Sequence, residues 1–116
     1  MRRLTLLVVL CALVTTAVAA ASAPPVGPLP KGPVQSIQTT RGSLVAVALP
    51  HRPGGLVWRL AKGSKLLVEV GEADVGANVV VVFRAKAAGR ATIAYGLTKG
   101  ETRTARDART FVVRIA

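Results

Sequence analysis

From position 34 to the end of the chain, apolar and polar residues alternate with a period of two, and no segment sustains helical spacing for long. In 43–49, Val45, Val47 and Leu49 share one face and Leu44, Ala46 and Ala48 the other, the signature of a strand. The same alternation predicts strands over 34–40, 56–60, 65–70, 79–87, 91–97 and 110–115. Inward positions follow from where the charges fall. Arg84 and Lys86 mark the solvent face of one strand and leave Val79, Val81, Phe83 and Ala85 for the core. Arg114 does the same for Phe111, Val113 and Ile115, while Ile93, Tyr95 and Leu97 align on the strand between.

The strands are separated by turn residues. Arg41-Gly42, the Pro-Gly-Gly at 53–55, Lys62-Gly63-Ser64 and Ala88-Gly89 are tight connections, 71–78 is expected as an acidic loop, and 98–109 as a polar one. Seven short strands spaced in this way predict an all-β fold: an immunoglobulin-like antiparallel β-sandwich, with Trp58 and Tyr95 in its core.

The N-terminal third reads differently. Met1-Arg2-Arg3, an apolar run over 4–18 and small residues over 19–23 have the layout of an export signal, with cleavage expected near Ala21. An uncleaved membrane anchor is the alternative, because 4–23 is about long enough to span a bilayer. The expected organisation is a signal peptide over 1–21, a linker over 22–33 and a folded domain over 34–116, secreted or periplasmic, with no membrane contact after cleavage. Five prolines (Pro24, Pro25, Pro28, Pro30, Pro33) with Gly27 and Gly32 make 22–33 an extended tether.

Cys11 is the only cysteine and lies in the apolar run, so the mature chain has no disulfide, no thiol nucleophile and no thiolate metal site. Without Arg2 and Arg3 the 16 basic residues become 14 against 5 acidic, a charge of +9 that favours contact with anionic surfaces. The cations are dispersed and aromatic residues are few, which is not the pattern of a specific nucleic-acid platform. His51 is the single histidine and cannot make a metal site by itself; it reads as a solvated loop residue. Ser64 and Lys65 are neighbours that would face opposite ways on a strand edge, which favours turn chemistry over a catalytic dyad. Glu69, Glu72 and Asp74 lack the spacing of a calcium motif and read as a solvated acidic turn. No acid, base and nucleophile constellation is present, so neither an enzyme nor a cofactor or metal is expected.

The stretch 50–58, Pro-His-Arg-Pro-Gly-Gly-Leu-Val-Trp, stands out as a stiff projecting turn. Pro53 fixes its own φ and pushes Arg52 toward extended backbone, and the glycines admit angles closed to other residues. Phe-Arg-Ala-Lys-Ala-Ala-Gly at 83–89 and Arg-Thr-Phe-Val-Val-Arg-Ile at 109–115 resemble the C-terminal half of chagasin-like inhibitors of papain-type cysteine proteases. Leu49-Pro50, with Pro53, Gly55 and Trp58, is similar to that family's first inhibitory loop. The resemblance covers about two thirds of the chain.

It implies an immunoglobulin-like sandwich whose three loops, gathered at one end, plug a protease cleft without chemistry. The implied protease-binding residues are Arg52, Pro53, Gly54, Gly55 and Leu56 in the first loop, Gly76, Ala77 and Asn78 in the second, and Lys99, Gly100 and Glu101 in the third. The loops depart from the family pattern. Leu56 stands where phenylalanine is usual, and Lys99-Gly100-Glu101 where arginine, proline and tryptophan are usual. A papain-like cysteine protease is the partner implied; a basic envelope or adhesion module that binds anionic surfaces is the alternative.

Overall fold

A computed structural model describes residues 23–116. The expected signal peptide and its cleavage site lie outside the described residues, as does Cys11. Seven strands follow in order: β1 (Val34–Thr39), β2 (Leu44–Pro50), β3 (Leu56–Lys62), β4 (Leu67–Val75), β5 (Asn78–Ala85), β6 (Gly89–Lys99) and β7 (Asp107–Ile115). They form two facing sheets, one ordered β1-β7-β6-β3 and the other β2-β5-β4. This is an all-β, immunoglobulin-like sandwich. One pairing is not antiparallel: β1 runs parallel to β7, Val34 opposite Thr110.

The core is the set that alternation selects. Val45, Val47 and Leu49 of β2 and Val81, Phe83 and Ala85 of β5 pack against Ile93 and Tyr95 of β6 and Phe111, Val113 and Ile115 of β7. Each buried aliphatic or aromatic side chain contributes about 1.5–3 kcal/mol, and without a disulfide this burial is what holds the sheets together.

Two expectations are corrected. The acidic stretch at 71–78 is not a loop, because β4 continues to Val75 and pairs with β5 up to Asn78, leaving only Gly76 and Ala77 to turn. Sequence alternation is lost there because the register shifts between Glu69 and Gly71, with Val70 as the extra residue of a β-bulge. The last strand likewise begins at Asp107, within the expected 98–109 loop.

The proline-rich stretch is extended, but it does not hang free. It lies across the outer face of β6, tied at one end by the Gly27 amide donating to Arg103 O of the β6–β7 loop (2.8 Å) and at the other by the Thr110 amide of β7 donating to Pro33 O (3.0 Å). That is why β6 is buried on both faces, with Ala94, Gly96 and Thr98 buried alongside Ile93, Tyr95 and Leu97. A Cβ on Gly96 would sit 2.8 Å from Val26 Cγ1 and 2.9 Å from Leu29 Cδ2. Gly96→Leu is therefore expected to lift this segment off the sheet at a cost of about 1–3 kcal/mol. Limited proteolysis across 24–33 and hydrogen exchange at the Gly27 amide should both accelerate; unchanged protection would contradict the packing described.

Candidate functional site

Loops β2–β3, β4–β5 and β6–β7 all leave the sandwich at the same end. Main-chain hydrogen bonds join them: the His51 amide donates to Ala77 O (2.9 Å) and the Gly100 amide to Gly55 O (3.0 Å). The β2–β3 loop, which crosses from one sheet to the other, is thus bonded to both of its neighbours and forms the middle of the tip.

Its conformation follows from its composition. Gly54 and Gly55 take φ of 82° and 74°, left-handed backbone that a β-branched residue resists. A Cβ on Gly54, Gly55, Gly76 or Gly100 would meet nothing within 4 Å, so these glycines give the tip a bare, narrow edge. The base of the loop is clamped by Trp58, whose indole Nε1–H donates to Pro50 O at 2.7 Å.

A chain of charges fixes the flank. Arg52 Nη2 donates to Asp107 Oδ2 at 3.1 Å, Arg109 Nη1 meets the same oxygen at 2.9 Å, and the Arg109 guanidinium lies 5.3 Å from the centre of the Trp58 ring. A guanidinium over an indole face is a favourable cation–π arrangement. On the other flank His51 Nε2 meets Asp74 Oδ1 at 3.2 Å. Both partners are exposed, so this pair orders the tip more than it stabilises the fold. In the third loop, buried Thr98 donates through Oγ1 to Gly100 O (2.7 Å), and Thr102 Oγ1 donates to Lys99 O (2.9 Å).

The structure brings Arg52, Pro53, Gly54, Gly55, Gly76, Ala77, Asn78, Lys99, Gly100 and Glu101 to this one end. Leu56 is close by but turned differently. It opens β3 opposite Lys99, half-buried on the inner face. Ser64 serves its turn, accepting from the Leu66 amide at 3.2 Å. Among the described residues no cluster of three His, Cys, Asp or Glu side chains is arranged to hold a metal ion. No helix there is long and apolar enough to cross a membrane. The residues that sequence reading missed are Asp107 and Arg109, which sat inside an expected loop and at its end.

Comparison with known proteins defines a class by shape alone. No family model matches the chain, and no curated protein matches it significantly in sequence. The fold is similar to that of the cysteine protease inhibitor EhICP2 from Entamoeba histolytica, at a TM-score of 0.53 and 14% identity, over 72% of this chain and 95% of that one. A part of the endo-fucoidan hydrolase MfFcnA4, of glycoside hydrolase family 107, is similar at a TM-score of 0.48 and 12% identity, over 72% of this chain and 13% of that one.

Proposed function

We propose that this is an exported, non-covalent binder of papain-type cysteine proteases, secreted or periplasmic, which docks its three-loop tip into the substrate cleft. The observation that carries the reading is the hydrogen-bonded union of the three turns into a single narrow edge. The protease-inhibitor fold of the Entamoeba protein points the same way.

Arg52–Gly55 forms the wedge, with the turn at Gly76 and Ala77 on one side and Lys99–Glu101 on the other. Two successive residues of positive φ fold the chain back at the apex. A peptide is cut in extended form, and this apex presents no extended stretch to a nucleophile. The Trp58, Asp107 and Arg109 clamp sets the loop before it meets a partner, and such preorganisation lowers the ordering cost of binding. The mature chain should therefore inhibit papain stoichiometrically and without being cleaved. Raising salt from about 50 mM to about 0.5 M should change the inhibition constant by no more than about threefold, because a filled cleft is screened far less than surface charge. Cleavage of the chain, or lack of inhibition at high micromolar concentration, would contradict this reading.

A second reading has its own observation at the opposite end. Arg90 and Arg114 stand directly across from each other on the outer face of β6 and β7, and both are exposed. Like charges so placed repel, and Arg41, Arg84 and Lys86 lie at the same end of the sandwich. An anionic surface would relieve that repulsion. Arg90→Gln with Arg114→Gln should weaken attachment to phosphatidylglycerol vesicles about tenfold at low salt while leaving protease inhibition unchanged. Equal attachment of the variant and the parent chain would remove this reading.

A further inference from the structure

Beneath the tip the two sheets do not close. Edge strands β3 and β4 stay unpaired with each other, and between them runs a crevice of about 280 Å³ walled by Leu49, Leu56, Trp58, Val79 and Val81. Glu69, Glu72 and Tyr95 also line it, as do His51 and Arg52, which are paired with Asp74 and Asp107 respectively. That volume is at the lower end for ligand pockets and suits a single side chain or a small molecule.

The two carboxylates owe their placement to the bulge. Residues three apart in a regular strand face opposite ways, but the extra residue Val70 puts Glu69 opposite Phe83 and Glu72 opposite Val81, both on the inner face. Bulges often re-aim a side chain in this way beside functional sites. Neither carboxylate is neutralised: among the described residues Asp74 pairs with His51 and Asp107 with Arg52 and Arg109, whereas Glu69 and Glu72 make no ion pair. In so basic a chain, electrostatic balance alone would favour filling such a place with a cation.

An independent observation is the floor. Tyr95 is 4% exposed, its ring held edge-on against Phe111, and its buried hydroxyl has no hydrogen-bond partner among the described residues. A buried hydroxyl left unpaired is costly, and most are paired. Burial first, then the charges of Glu69 and Glu72, push the phenol well above its ordinary pKa. It stays neutral, and both carboxylates bear on it.

We propose that this crevice binds a primary alkylammonium, its methylene stem along the Trp58 and leucine walls and its three N–H donors shared among Glu69, Glu72 and the Tyr95 hydroxyl. An ammonium has three donors and no acceptor on a flexible apolar stem, which matches a crevice lined by apolar walls and three acceptor groups, two of them on exposed glutamates. A lysine side chain of a partner protein and a free aliphatic polyamine both carry this group. The crevice opens at the base of the tip, sharing His51, Arg52 and Leu56 with it, but its three acceptors lie on β4 and β6, outside the docking loops.

Pentylammonium chloride and pentan-1-ol are the probes, followed by the fluorescence of Trp58, the single tryptophan, and by backbone amide shifts. Saturable binding of the ammonium, at least about tenfold tighter than the alcohol, is expected, and Glu69→Gln with Glu72→Gln should abolish that preference. Tyr95→Phe should weaken ammonium binding severalfold while raising Tm, since it removes an unpaired buried hydroxyl. A lower Tm would show that the hydroxyl is already satisfied and would count against the site. Equal affinity for the ammonium and the alcohol, or an unchanged preference in the double variant, would overturn the proposal. Nα-acetyl-lysine methylamide and 1,5-diaminopentane separate the sources: whichever binds more tightly than pentylammonium identifies a protein lysine or a free polyamine, and binding of neither would overturn the assignment.

Discussion

Trp58→Ala is expected to lower the free energy of unfolding by about 3 kcal/mol, the lower end of the range for large aromatic side chains, because the indole is only partly buried and one side of it faces the crevice. The indole does three things at once: it packs on the core, donates to Pro50 O at 2.7 Å and carries the Arg109 guanidinium at 5.3 Å. Domains of this size have about 5–15 kcal/mol in total, so such a loss leaves little in reserve. Urea denaturation measures it. Trp58→Phe separates the roles, because it keeps most of the packing and loses the hydrogen bond. The phenylalanine variant should recover more than half of the lost stability, yet exchange at the His51 and Gly100 amides should remain faster than in the parent chain. Equal protection of those amides in both chains would show that the tip is ordered without the clamp.

Gly54→Val with Gly55→Val is expected to weaken protease inhibition at least about a hundredfold, equivalent to about 2.7 kcal/mol. Nothing surrounds these positions, so the added side chains strike no neighbour within the chain. The effect comes from the backbone. Left-handed φ costs about 1–2 kcal/mol per residue that has a Cβ, and valine relieves it by reshaping the loop. Asparagine tolerates that region far better, so Gly54→Asn with Gly55→Asn should hold the parent stability within about 0.5 kcal/mol. It too should inhibit poorly, because the edge is no longer bare. Inhibition retained by the asparagine variant would mean that loop shape matters and slimness does not.

How far the chain could be read in advance depended on whether a position answers to a local or a distant cause. The inner faces of β5 and β7 were legible because charges on the outer face label them, as Arg84 and Arg114 do, whereas β2 carries no charge and its alternation separated two faces without saying which is inward. The convergence of the three loops was reached through the family resemblance, since no local pattern says which turns share an end. The extent of β4 was illegible at the bulge, where one extra residue reverses the alternation and makes an edge strand look like an acidic loop. The seat of the proline-rich segment was missed for another reason. Its signal is not in the prolines but in the small residues Thr92, Ala94, Gly96 and Thr98 on the outer face of β6, where a solvent-facing strand would carry charge. The Tyr95 crevice depends on two strands failing to meet, which no single segment records.

The most direct measurement is amide chemical-shift mapping of the ¹⁵N-labelled chain on addition of papain. Docking by the tip predicts shifts confined to His51–Leu56, Gly76–Asn78 and the residues from Lys99 to Arg106, with the basic end unchanged. Shifts centred on Arg84, Arg90 and Arg114, or none at saturating protease, would contradict it.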